Sequence, residues 1–149
     1  MQDLFSKAQM EMALVKQVNY SSSCIAFNDG NGNFTLQKLP VGCQLSSVKS
    51  ILPIDINDDG FIDLVIGGNE FGFQPQLGRL DANLGEVLIN NGKGSFSELS
   101  QNQSGLNLHG QVRDIVLLKK QNNTLLLFLQ NDEYPVLYSL KKKGSKQKK

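Results

Sequence analysis

Apolar residues fall into two regimes along the chain. Near the start, Leu4, Phe5, Ala8, Met12 and Val15 recur at helical spacing. They form a stripe ~100° wide, which predicts an amphipathic helix over roughly residues 3–17, with Asp3 placed to cap it. A Met-bearing stripe of this kind can line a binding groove but far more often packs into a core. Beyond it the helical period is lost. Short runs of alternating or continuous apolar residues follow, separated by turns rich in Asn, Asp and Gly. They predict strands at Ser22–Phe27, Phe34–Leu39, Val48–Ile54, Leu64–Ile66, Gly85–Ile89, Phe96–Leu99, Val112–Leu118, Leu125–Leu129 and Val136–Leu140. Pro53 and the many glycines argue against helix in this region. The expected architecture is all-β with one N-terminal helix.

An internal repeat refines that expectation. Asn28-Asp29-Gly30-Asn31-Gly32-Asn33-Phe34 matches Asn90-Asn91-Gly92-Lys93-Gly94-Ser95-Phe96 at an offset of 62 residues, and Val48–Leu52 matches Val112–Val116 at an offset of 64. Repeats on this scale, with about four strands each, suggest propeller blades or a related array, with a β-sandwich as the alternative. The chain thus divides into an N-terminal helix (residues 1–19), a repeat region (20–140) and a tail (141–149).

The chain has 149 residues, enough for one domain with a real core, and 40% of them are apolar. It contains no run of ~18 apolar residues, so no membrane-spanning helix is expected. Its start lacks the basic and apolar blocks of a signal peptide, so either the protein is cytoplasmic or the true N-terminus lies upstream. The net charge of +1 hides an asymmetry: the tail from Lys141 to Lys149 holds six lysines and no acid, leaving 9 basic and 14 acidic residues in the body, or −5. An acidic body suits a cation site and not a nucleic-acid face; the tail could touch RNA or anionic lipid, but a solvated and disordered tail is the better reading. Cys24 and Cys43 are too few for a disulfide framework, although one bridge between them would be feasible; two buried, inert thiols fit better. With one histidine, His109, and no Cys-x-x-Cys, zinc is not expected. His109 also has no nucleophile near it in sequence, and the glycine-rich turns lack the Lys-Ser/Thr of a phosphate-binding loop.

The chemistry concentrates in Asp55-Ile56-Asn57-Asp58-Asp59-Gly60-Phe61-Ile62-Asp63. Side-chain oxygens stand at loop positions 1, 3, 5 and 9. Gly60, at position 6, supplies a sharp turn, and Phe61, at position 7, can offer its carbonyl. Hard oxygen ligands in an irregular loop suit Ca²⁺ better than Mg²⁺. An EF-hand is excluded: position 12 is Ile66 rather than Glu, and both flanks are strands. An acidic surface turn without metal is the alternative, but three carboxylates on one turn repel each other unless a cation neutralises them. In the second repeat Asp55 becomes Lys119, Asn57 becomes Gln121 and Asp59 becomes Asn123, so one ion per chain is expected. The connection from Glu70 to Asn83 is long for a compact domain and carries Arg79 and Asp81, which can bind a ligand or pair with each other.

The loop, the following Leu64-Val65-Ile66-Gly67-Gly68-Asn69 and the later Asn90–Phe96 turn together resemble an FG-GAP/VCBS repeat, the unit of the integrin-α-type β-propeller. The resemblance covers about residues 20–140. More narrowly, the helix, Gly78–Ala82 and the Asn-Gly turns are similar to the C-terminal part of bacterial VCBS/ASPIC-UnbV-like surface proteins. The resemblance implies a partial propeller of about two antiparallel blades. It also implies one structural Ca²⁺ held by Asp55, Asn57, Asp59, Asp63 and the Phe61 carbonyl, and an extracellular or cell-surface adhesion or interaction scaffold rather than an enzyme. Its partner would be a protein or a glycan, with upstream blades or self-association completing the fold. A Ca²⁺-dependent carbohydrate-binding module, or part of a secreted enzyme, is the alternative; Glu70, Asp81 and Glu86 are the spare carboxylates such an enzyme would draw on.

Overall fold

The computed structural model describes residues 4–74, 76, 78–120 and 123–140; the basic tail at 141–149 and Asp3, the expected helix cap, lie outside them. Among the described residues nine strands follow one another: β1 (Cys24–Asn28), β2 (Phe34–Lys38), β3 (Val48–Ile54), β4 (Asp63–Gly68), β5 (Glu86–Asn90), β6 (Phe96–Glu98), β7 (Val112–Lys120), β8 (Asn123–Gln130) and β9 (Val136–Leu140). All pairings are between sequence neighbours and antiparallel. They give a hairpin β1-β2, a four-stranded meander β3-β4-β5-β6 and a three-stranded meander β7-β8-β9, none of them closed.

The three sheets stack face to face, and the alternation of side chains along a strand explains how. On β4, Ile66 and Leu64 point to one side, where they meet Leu88, Phe96, Leu39, Cys43 and, from the hairpin, Ile25. Val65 points to the other side, where it joins Val87 and, from the third sheet, Ile115, Leu126 and Phe128. The middle sheet is therefore buried on both faces, and its central strand is apolar almost throughout. Within the third sheet Phe128 packs edge-on against Tyr138 of the neighbouring strand, at 5.7 Å between ring centroids, and both belong to the core on that side.

The repeat is preserved in register as well as in sequence. In β3-β4 the ladder slips between Val48 and Ser50; in β7-β8 it slips between Val112 and Asp114, the same place at an offset of 64. Just beyond each ladder the same backbone bond forms, from Asn69 N–H to Ser47 O (3.0 Å) and from Asn131 N–H to Gln111 O (2.9 Å). The two glycine-rich turns share their bonding too. Asn28 and Asn90 side chains accept from Gly30 and Gly92 (2.7 and 2.9 Å), while Asp29 and Asn91 accept from Asn31 and Lys93 (both 2.8 Å). The β1-β2 hairpin is thus the structural equivalent of β5-β6.

The N-terminal segment departs from expectation. Helix α1 covers only Lys7–Glu11, with Ser6 as its cap, and none of its residues is buried. Leu4, Met12 and Val15, on the expected stripe, are exposed, and residues 12–20 have no regular secondary structure. The reason is physical: isolated helices shorter than ~12–15 residues are marginal, and no element of the stack meets this stripe to stabilise it. A second short helix, α2 (Gln101–Ser104), follows β6 and ends at Gly105 in the left-handed conformation. No helix among the described residues is long and apolar enough to cross a membrane.

Candidate metal loop and recognition loop

The Asp55–Asp63 loop joins β3 to β4 at the end of the middle sheet. Its turn is built by its own side chains. Asp55 accepts from the backbone N–H of Asp59 (3.2 Å) and of Gly60 (2.8 Å), folding the loop back on its first residue. Asn57 Oδ1 accepts from Asp59 N–H at 3.1 Å, and Asp59 Oδ1 from Phe61 N–H at 2.9 Å. Asn57 Nδ2 also reaches Asp59 Oδ2 at 2.8 Å. Gly60 has φ +88°, a conformation that strains any residue with a Cβ, and Asp58 sits at φ 58°. Asp55, Asn57 and Asp59 are therefore brought together, with Asp58 exposed outside them.

Asp63 is placed differently. It is fully buried, and its two carboxylate oxygens accept from Ile56 N–H (3.0 Å) and Asn90 N–H (2.8 Å). Asn90 in turn donates its side-chain amide to Ile62 O at 3.1 Å. The Phe61 ring lies against Gly92, where any Cβ would strike it. The loop is thus tied to the β5-β6 turn by Asp63, Asn90 and the Phe61–Gly92 contact. Sequence reasoning placed Asp63 on a cation but did not see this tie; the repeated Asn90 turn was its only visible sign.

A carboxylate has about four lone-pair sites, so the amide bonds to Asp55 and Asp59 leave acceptor capacity on both. This donor set, all oxygen and on an exposed loop, fits a hard cation such as Ca²⁺. The convergence is incomplete: among the described residues, no three His, Cys, Asp or Glu side chains form a group that could hold a metal ion. Asp63 would have to share its oxygens between backbone amides and the ion. In the second repeat β7 and β8 stay paired as far as Lys119–Thr124 and Lys120–Asn123. Only residues 121–122, outside the described residues, stand between the strands in sequence, against the eight residues 55–62 in the middle sheet.

In the connection from β4 to β5, Glu70 and Leu80 form an isolated antiparallel bridge. Arg79 pairs with Asp81 at 3.3 Å, both well exposed, and its guanidinium lies over the Phe71 ring, 4.7 Å from the centroid. Glu70 is engaged by Lys49 at 2.7 Å and lies 3.9 Å from Arg113 of β7. The bond from Lys49, followed by that from Gly72 N–H, holds its carboxyl below the usual range.

Below this loop lies a buried polar cluster that the sequence did not announce. Asn69 donates to Asn83 O (2.8 Å) and Gly110 O (3.1 Å), and accepts from Asn83 N–H (2.9 Å) and Ser46 Oγ (2.9 Å). Asn83 donates to Glu86, which is buried. Burial, and then the nearby Glu98 carboxylate, push the Glu86 carboxyl up to about 7. Through Gly110 the cluster spans the middle and third sheets. Cys24 and Cys43 are both free; Cys43 is buried and Cys24 half-buried. Burial pushes the Cys43 thiol up to about 12, which makes it a poor nucleophile. Compared with protein-family models, curated proteins and solved structures, the chain matches none.

Proposed function

We propose that this chain is a calcium-stabilised segment of blade-like sheets, about two blades of a β-propeller, serving as an interaction scaffold outside the cell or at its surface. The observation that carries the reading is the Asp55–Asp63 loop, where Asp55, Asn57 and Asp59 are gathered by the turn and Asp63 ties it to the sheet. One Ca²⁺ would sit on this loop, held by Asp55, Asn57, Asp59, Asp63 and the Phe61 carbonyl, and its role would be structural. Removing it would leave carboxylates close together and lower stability by mass action. The proposed role is not catalytic. Glu70, Asp81 and Glu86 are engaged by Lys49, Arg79 and Asn83, which supports that reading.

Calorimetric titration of calcium into the chelator-treated chain tests the site. Saturation at one ion, lost in Asp55→Ala and Asp59→Ala, is the expected result; no heat, or two tight sites, would refute it. A carbohydrate-binding role is favoured by one feature, the Phe71 ring stacked under Arg79, which pairs with Asp81, since a ring beside paired charges suits the mixed faces of a sugar. A glycan array in calcium, with Arg79→Ala and Asp81→Ala as controls, distinguishes this from a protein partner.

A further inference from the structure

We infer that the outer face of the β7-β8-β9 sheet is the docking surface for the β1-β2 hairpin of a second copy of this chain, so that copies add head to tail. Register puts Val116, Leu118, Leu125, Leu127, Leu129 and Leu137 on that outer face, because cross-strand partners share a side: Val116 pairs with Leu127, Leu118 with Leu125, and Leu127 with Leu137. The inward face of the same sheet, with Ile115, Leu126, Phe128 and Tyr138, belongs to the core. Six aliphatic side chains thus line a face that no described element of the chain covers; Leu118 and Leu137 are exposed by 38% and 53%. An uncovered sheet face of this character is a contact surface.

The repeat says what kind of surface fits it. At the offsets of 64 and 62, Val116 and Leu118 correspond to Leu52 and Ile54, and Leu127 to Val65. These three lie on the side of the middle sheet that the next sheet covers. The open face is therefore the next instance of an interface the chain already builds once. The complementary half stands at the other end of the stack. On the hairpin, Ile25 faces the middle sheet, and Gln37 meets Ser95 at 3.5 Å. Ala26, Phe34 and Leu36 point the opposite way, and Phe34 and Leu36 are exposed by 61% and 52%. At the offset of 62, Ala26 and Phe34 correspond to Leu88 and Phe96, which lie on the side of the middle sheet that packs on its predecessor. One chain thus carries both halves of its own repeating interface. They lie on opposite sides of the middle sheet and cannot meet within a single copy. Two copies can join them, and such a heterologous contact leaves one half free at each end for further addition.

This inference rests on the stacked-sheet reading of the fold and not on the calcium loop. Sedimentation velocity of the full chain over a wide range of concentration, in calcium and in chelator, is the test. The wild type should show mass above the monomer that rises with concentration. Leu36→Lys and Leu137→Lys, each spoiling one half, should be monomers alone. An equimolar mixture should give a complex of twice the monomer mass and nothing larger, because each variant keeps the half that the other lost. A wild type that stays monomeric, single variants that assemble as the wild type does, or a mixture that stays monomeric would each overturn the inference. Phe34→Lys and Leu118→Lys replace any variant whose circular dichroism shows lost structure. Assembly without calcium binding would leave this inference standing and remove the calcium reading; calcium binding by a strict monomer would do the reverse.

Discussion

Asp63 and Asp55 both belong to the proposed calcium set, yet their surroundings predict opposite behaviour once calcium is removed. Asp63→Ala deletes the acceptor of two backbone donors, Ile56 N–H at 3.0 Å and Asn90 N–H at 2.8 Å, at a fully buried position. Each donor left unmet costs ~1–3 kcal/mol, so the substitution should cost ~2–6 kcal/mol with or without metal. Against a typical domain stability of ~5–15 kcal/mol that is a large fraction. For a chain of this size it lowers Tm by ~4–24 °C, taking ~2–4 °C per kcal/mol. Asp55→Ala also frees two donors, Asp59 N–H and Gly60 N–H, but both are exposed and water replaces the carboxylate. Its cost in chelator should stay within ~1 kcal/mol. Thermal unfolding followed by circular dichroism, in chelator and in saturating calcium, reads both effects. Asp55→Ala should match the wild type in chelator and lack the calcium-induced gain. Asp63→Ala should be low in both, with Asp63→Asn, which keeps one acceptor oxygen, in between. If Asp63→Ala in chelator melts within ~2 °C of the wild type, a drop smaller than 1 kcal/mol, then the tie to Asn90 contributes nothing and Asp63 serves only the cation.

Glu86 gives a pH prediction. Its carboxyl is pushed up from 4.5 to about 7 by burial and by Glu98, so the folded state holds a proton that the unfolded state releases. That stability is fully present below about 4.5 and lost as pH rises through about 7, ~3 kcal/mol in all. Glu86→Gln should therefore flatten the fall in stability between these values, read as the difference from wild type in urea midpoints. Gly68→Ala would drive a Cβ into the Ser47 carbonyl oxygen, which cannot retreat without losing its 3.0 Å bond from Asn69; a loss of ~1–3 kcal/mol or more is expected in the same assay. Removing residues 1–19 should shift Tm by no more than ~2–4 °C, equivalent to ~1 kcal/mol, because Leu4, Met12, Leu14, Val15 and Val18 are all exposed.

The strands were legible because their period and their punctuation agree. Val48–Ile54 and Val136–Leu140 carry the predicted bounds, and the others differ by one to a few residues at their ends. The bulk of the repeat was legible as well, since Asn28 and Asn90 open turns whose hydrogen bonds require those side chains. The helix over residues 3–17 was over-read: its stripe is real, but amphipathicity states only that a face wants burial, not that a partner exists. The buried cluster of Asn69, Asn83 and Glu86 was illegible for the opposite reason. Asn and Glu at irregular spacing look like loop surface, and only the fold brings residues 69, 83 and 110 together. In the candidate loop, the turn made by Asp55, Asp59 and Gly60 followed from spacing. The inward turn of Asp63 toward Asn90 did not, because it depends on a strand 27 residues away.

The two repeats close the same strand pair in different ways, and this separates fold from metal. In the third sheet β7 and β8 are paired to Lys120–Asn123, whereas in the middle sheet eight residues, 55–62, intervene between Ile54 and Asp63. Both ladders carry the same slip near their other end and the same backbone bond beyond it, so the sheet does not need the longer connection. If the loop is there for a cation, grafting the sequence of residues 119–124 in place of 55–62 should leave a folded protein. Asp63 and Asn90 stay in place, while the bond from Ile56 N–H to Asp63 and the packing of the half-buried Ile56 side chain on the core are given up. The expected cost is therefore one unmet acceptor and one half-buried aliphatic side chain, ~2–5 kcal/mol, or ~4–20 °C in Tm. Calcium should then have no effect on the melting curve. A chimera that fails to fold, while wild type in chelator folds normally, would show that the loop shapes the sheet by itself and that its carboxylates are there for the turn rather than for an ion.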